Sequence, residues 1–275
     1  MALNPRVDVT GATGAIGSAT AALLVKRGAR VVLMARPSPR LNALVESLSE
    51  GDNRIASIPV DLSSLQSVRT AARQLFREGE HIAALVHIAG MFTMRYQKGP
   101  QGLELMLTTN HLGPFLMTNM LRDRLTGGGR VITVTAPSTT RVDVDRLLNK
   151  ERFSAMHTFQ ATKAANLMFT FELARRAKRW DVRANAFFPG LVRSELMSDA
   201  SGPMQFLSRL LSRDANHAAH DLVDLALSPA FAGTTGWFFK GGRRIDPPKQ
   251  TQDIGQQSIL WRRSAELVEQ ELGGF

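Results

Sequence analysis

Close to its start the chain carries Thr10-Gly11-Ala12-Thr13-Gly14-Ala15-Ile16-Gly17, set between a short apolar run and a helix-length stretch. Glycines at this spacing recur by chance, but a strand before them and a helix after them restrict the local fold sharply. Such a turn lets backbone come up against a pyrophosphate, and the helix start offers unpaired N–H groups and the positive end of its dipole. Gly11, Thr13, Gly14, Ile16 and Gly17 are therefore the expected phosphate-side residues.

The rest of the chain continues the alternation. Short apolar runs at 7–10, 30–35, 55–59, 84–88, 131–135, 183–187 and 236–239, the first six of them β-branched or aliphatic, are separated by helical periodicity. The helical stretches cover 15–28, 38–50, 64–78, 102–126, 155–179, 215–228 and 256–272. This is the pattern of βαβ units, and it predicts the α/β class: a Rossmann-type doubly wound parallel sheet of about seven strands, helices on both faces. With no repeat or linker in 275 residues, a single domain over 1–275 is expected. Open sheets of this kind bind ligands at the carboxyl ends of their strands. The irregular segments 91–101, 136–153 and 190–214 fall there, so 190–214 is read as a substrate lid and 250–275 as a helical tail.

At the end of the second strand stands Arg36, where an acidic residue would grip the ribose hydroxyls of NAD. A guanidinium there suits a 2′-phosphate, which favours NADP(H) over NAD(H), and Arg40 is placed to assist. Asp61-Leu62 ends the third strand region, where the carboxylate could accept from the adenine amino group or cap the following helix.

Composition narrows the setting. The formal charge of +10 is mostly arginine, yet no basic stripe interleaves with aromatics, so a nucleic-acid partner is not expected. The chain has no cysteine, hence no disulfide, thiolate metal site or cysteine nucleophile. His217 and His220 lack the companions a metal would need. A strand beginning near Arg6 leaves no room for a secretory leader, and no apolar run is long enough for a membrane span. A cytoplasmic protein is expected, and a homodimer is compatible with it.

Further segments give the chain a resemblance. His87-Ile88-Ala89-Gly90, Gly102-Leu103-Glu104, Thr109-Asn110-His111-Leu112-Gly113-Pro114-Phe115-Leu116, Thr235-Gly236-Trp237-Phe238-Phe239 and Leu260-Trp261-Arg262-Arg263-Ser264 are similar to pieces of the short-chain dehydrogenase/reductase superfamily. The nearest branch holds retinol-dehydrogenase-like enzymes and protochlorophyllide reductases. The resemblance implies cofactor contacts at Ala89, Gly90, Lys163, Pro189, Gly190 and Ser194. It also implies a tyrosine acid, a lysine four residues later, a carbonyl-polarising serine and a supporting asparagine. Lys163 and Asn110 match. Phe159 stands at the tyrosine position and Ala136 at the serine position. The glycines follow the spacing of the extended branch, with Ala15 where shorter members have glycine. His87 replaces an asparagine, and Asp8 lies in a strand that should be buried, where a carboxylate needs a partner.

Without tyrosine and serine, the reaction loses a general acid and an electrophilic donor, worth roughly 10²–10⁴-fold and 10²–10³-fold in rate. Three activities fit what is left. One is an atypical oxidoreductase on a hydrophobic carbonyl or enone compound, its proton coming from solvent, the substrate, His157 or Tyr96, with Ser138 or Thr135 standing in for the serine. The second is a non-redox enzyme such as a dehydratase, isomerase or cyclase, and the third an NADP(H)-binding protein without turnover. Met91, Phe92, Met94, Met197, Met204, Phe206, Leu207, Leu210 and Leu211 fall in the two wall loops and suggest an apolar pocket. The second group fits equally well as the packed face of a lid helix.

Overall fold

A computed structural model describes residues 4–49, 54–190, 215–269 and 275. The strands are β1 (Arg6–Thr10), β2 (Arg30–Ala35), β3 (Ile55–Pro59), β4 (Ala84–His87), β5 (Arg130–Val134), β6 (Arg183–Phe187), β7 (Phe238–Lys240) and β8 (Arg243–Ile245). They form one sheet in the order β3-β2-β1-β4-β5-β6-β7-β8. The pairs from β3 through β7 are parallel, and β8 returns antiparallel to β7. Eight strands replace the expected seven or so. The extra one is a short edge strand, turned by Gly241 and Gly242 at φ 56° and 70°, values that suit glycine.

Alternate residues of each strand feed opposite faces. Val7, Val9, Val31 and Leu33 pack beneath α1 (Ala15–Lys26) and α9 (Ala215–Leu227); Val32, Met34, Leu85 and Val131 pack under α3 (Leu65–Arg77), α5 (Gly113–Met120) and α8 (Ala155–Arg176). Asp8, fully buried in β1, is held by Arg6, whose Nε lies 2.8 Å from Oδ1. Burial outweighs that pairing and pushes the Asp8 carboxyl up to about 6.

Other arginines also serve the fold. Arg175 and Arg176 both pair with the buried Glu172, and Arg130 donates to the carbonyls of Leu225 and Ser228, each at 2.9 Å. Two of the terminal carbonyls at the end of α9 thereby find a partner.

The segment expected as one helix over 102–126 is broken. It comprises α4 (Leu105–Leu107), a π-helical turn (Thr108–Leu112), α5 and α6 (Arg122–Leu125). Gly102 at φ +78° stands before its start. Glu104 caps α4, its Oε2 accepting from Leu107 N at 2.6 Å. Gly113, directly after the π turn, lies against Leu62: a Cβ there would be 2.6 Å from the Leu62 carbonyl oxygen.

The helices α2 (Pro39–Leu48), α7 (Val144–Leu148) and α10 (Ile254–Leu267) complete the set among the described residues. The last docks through aromatics, with the Trp261 ring centroid 4.9 Å from Phe115 and 5.8 Å from Phe169. Among the described residues, no helix is long and apolar enough to cross a membrane.

Candidate functional site

β1 leaves the sheet at Thr10 beside the end of β4, where the strand order reverses. Such a switch point opens a crevice. Gly11 takes φ +69°, and a Cβ on it would sit 2.7 Å from the backbone of Ala89. A Cβ on Gly17 would lie 2.1 Å from the Gly11 carbonyl oxygen. Packing within the chain therefore demands both glycines. Gly14 is different: it is exposed, its φ of −78° suits any residue, and a Cβ would come no nearer than 3.4 Å to Gly11 O. The chain itself has no use for a glycine here, whereas a closely approaching ligand would.

Thr13 and Ile16 flank Gly14, half-buried. No side chain caps α1 and its first turn holds no acidic residue, while Ser38, Ser64 and Asp253 cap α2, α3 and α10. Free N–H groups next to a bare glycine surface fit a pyrophosphate.

Arg36 is exposed directly after β2 and makes no hydrogen bond or ion pair among the described residues; Arg40 is exposed on the first turn of α2. Asp61 Oδ1 accepts from Ser63 N at 2.9 Å and Ser63 Oγ at 2.7 Å, so half of that carboxylate ties its own turn. The cap of α3 is Ser64, and Leu62 is buried beneath Gly113.

The centre of the crevice is built by α8 and the loop after β4. Lys163 is buried, and a Cβ on Gly90 would lie 3.4 Å from its Nζ and 3.7 Å from Asn110 Oδ1. The ammonium stands 5.0 Å from the Phe159 ring centroid and has no hydrogen-bond partner among the described residues. Burial pushes its pKa down to about 8. Asn110 clamps the loop, Oδ1 accepting from Met91 N at 2.7 Å while Nδ2 donates to Met91 O at 3.0 Å and Thr162 Oγ1 at 3.2 Å.

Phe159 meets Phe92 edge-on with centroids 5.5 Å apart, in a cluster with Met91, Met106, Phe153 and Met156. Beside Lys163 this cluster is apolar, although Met94 itself is exposed. Pro189 and the left-handed Gly190 (φ 81°) close the end of β6. Ser194 and the apolar residues Met197 to Leu211 lie outside the described residues.

Several expected substitutes are not brought in. Tyr96 Oη donates to the Leu148 carbonyl at 2.9 Å and its ring packs on Phe153, so its proton is committed elsewhere. Burial, with Glu104 nearby, raises the Tyr96 phenol further. His157 lies two residues before Phe159, about 200° around α8 by helical geometry. It feels Arg146 and Asp143 rather than Lys163, and burial lowers its pKa. The Tyr96 hydroxyl is therefore spent on Leu148. Thr135 Oγ1 donates to the Lys163 carbonyl at 2.8 Å, and Ser138 Oγ accepts from Thr140 N at 3.2 Å. Ala136, half-buried between them, brings no hydroxyl.

Sequence reasoning gave no role to two buried histidines. His87 Nε2 lies 2.7 Å from Thr118 Oγ1 and its Nδ1 is unpartnered among the described residues, so desolvation lowers its pKa to about 3. His111 and Asn166 stand behind Asn110, and of the two only His111 falls in a segment that carries the resemblance.

Comparison with known proteins gives a consistent picture. Residues 6–204 match the family described as short chain dehydrogenase. Human retinol dehydrogenase 13 is 30% identical over 280 residues, covering 95% of this chain and 84% of that protein. A Streptomyces sp. (strain C5) protein, provisionally named daunorubicin C-13 ketoreductase DnrU, is 33% identical over 267 residues, covering 95% of this chain and 92% of its own. A solved structure of a Mycobacterium paratuberculosis protein superposes with a TM-score of 0.79 at 27% identity, covering 98% of this chain and 97% of that one.

Proposed function

This chain belongs to the short-chain dehydrogenase family, and from that premise we propose an NADP(H)-dependent oxidoreductase for hydrophobic carbonyl or enone compounds in which Lys163 donates the proton. The family binds nicotinamide cofactors. Support for the phosphate form comes from the exposed Arg36, placed where a 2′-phosphate would need a cation. Gly11, Thr13, Gly14, Ile16 and Gly17 would hold the pyrophosphate, with Asp61 and Leu62 near the adenine and Ala89, Gly90, Asn110, Pro189, Gly190 and Ser194 around the nicotinamide end. When bound, the cofactor supplies hydride to carbon; the chain must supply the proton to oxygen.

The observation that carries this reading is the Lys163 ammonium, buried, unpartnered by the described residues and flanked by the Phe159 ring. An acid works best with a pKa near the operating pH, and burial has brought this one to about 8. After giving its proton to the substrate oxygen, the amine is reprotonated from solvent. The Phe92–Phe159 wall favours an apolar substrate, and the spacing of Phe206, Leu207, Leu210 and Leu211 supports a lid over 190–214. A second reading, binding without turnover, is favoured by the commitment of the Thr135 hydroxyl proton to Lys163 O.

The test is titration with NADPH and NADH, followed by NADPH absorbance in the presence of phenanthrenequinone and a hydrophobic enone. Tight NADPH binding with substrate-dependent loss of absorbance is expected. Turnover should fall as pH rises through about 8, and Lys163→Gln should abolish it. Binding without absorbance change selects the second reading, and absence of binding overturns both.

A further inference from the structure

A run of buried hydrogen bonds crosses from the C-terminal helix to the crevice, and the chemistry above does not use it. Ser264 Oγ on α10 lies 2.8 Å from His111 Nε2, and His111 Nδ1 lies 3.2 Å from Asn166 Oδ1. Asn166 Nδ2 donates to the Asn110 carbonyl at 2.9 Å, and the Asn110 side chain holds both the N–H and the C=O of Met91.

The donors can be ordered. Because the Asn166 amide nitrogen is spent on Asn110, its oxygen faces His111, so Nδ1 carries the imidazole proton. Nε2 must then accept, and the Ser264 hydroxyl donates to it. The imidazole is neutral, since burial lowers its pKa to about 4. Asn110, His111, Asn166 and Ser264 are all buried, so a break leaves polar groups without water to replace the partner. Asn110 and His111 occupy the π turn and Asn166 the facing stretch of α8.

We propose that Ser264 and His111 are positioning residues for the cofactor wall, acting through Asn166 and Asn110 on the Met91 backbone and hence on Gly90 beside Lys163. The proposal rests on the reading of this crevice as the cofactor site. It makes α10, distant in sequence, part of what shapes that wall.

The test is Ser264→Ala in the full chain, read by the ¹⁵N amide resonance of Met91 and by NADPH titration. Loss of one hydrogen bond in the run should shift the Met91 resonance and weaken NADPH binding by roughly three- to tenfold. Leu260→Ala loosens the same helix without touching the run. It should lower the melting temperature while leaving the Met91 resonance and the NADPH affinity in place. An unmoved Met91 amide in Ser264→Ala, or an equal shift in Leu260→Ala, overturns the proposal. Should the wild-type chain bind no NADPH, the reading of the crevice fails, and the Met91 resonance still decides the coupling.

Discussion

Lys163 Nζ and the Phe159 ring, one helical turn apart on α8, face each other at 5.0 Å. A ring face attracts a cation, so the pair is favourable in itself. It leaves a desolvated ammonium beside a side chain that has no proton to exchange.

Phe159→Tyr combined with Ala136→Ser should turn that contact into acid catalysis. The added phenol would lie in the field of the ammonium and titrate below the usual value of about 10. Carbonyl reduction should rise by about 10²-fold or more. Ultraviolet titration of the new phenol and NADPH consumption with phenanthrenequinone check the two halves. No gain on any carbonyl would rule out a reductase disabled merely by these two replacements.

The glycine turn separates two kinds of requirement. Gly17→Ala drives a Cβ into the Gly11 carbonyl at 2.1 Å and should cost about 1–3 kcal/mol of stability. Gly14→Ala meets nothing nearer than 3.4 Å and should stay within about 0.5 kcal/mol of wild type. Only the second should keep its melting temperature while losing NADPH affinity in titration.

Arg36→Asp exchanges the exposed guanidinium after β2 for a carboxylate. Repulsion of a 2′-phosphate and a new acceptor for ribose hydroxyls should swing the NADPH-to-NADH affinity ratio by at least about tenfold towards NADH. An unchanged ratio in paired titrations would remove Arg36 from the site.

The buried His87 makes a prediction about acid. Its pKa is about 3 in the folded chain against 6.5 for a free imidazole. Between those values the unfolded chain binds the proton and the folded one does not, so the contribution to stability is lost as pH falls below about 6.5. The slope is on the order of 1 kcal/mol per pH unit. His87→Asn has no such proton to take up. Urea midpoints at about pH 7 and pH 5 should show wild type losing ground to the variant, and comparing the two cancels the carboxylates.

Much of this was legible from residues alone. The first six strands are aliphatic runs bounded by turns, and each lies within a residue of its expected place. The edge strand β8 was not read because Arg243-Arg244-Ile245 is short and charged, although the glycine pair before it is a hairpin signal. The π turn has no periodicity to betray it; Gly113, directly after it, lies against Leu62. Lys163 and Asn110, matched by resemblance, both lie beside Gly90. The fates of Tyr96 and His157 were decided by partners far away in sequence or on another helix face, Leu148 for one and the α7 region for the other.

The π turn also acts as a spacer within the helix. A π turn closes i→i+5 hydrogen bonds and takes up about one residue more than an α turn, so Thr108–Leu112 holds that residue while the helix before and after it keeps its phase. Phe115 thereby stays against Trp261, Gly113 against Leu62 and Thr118 against His87, while Asn110 inside the turn holds Met91. A surface loop can tolerate a length change. Here one is taken up inside the helix itself, so the contacts made on α10, on Leu62 and on β4 stand apart from the length of the segment before them.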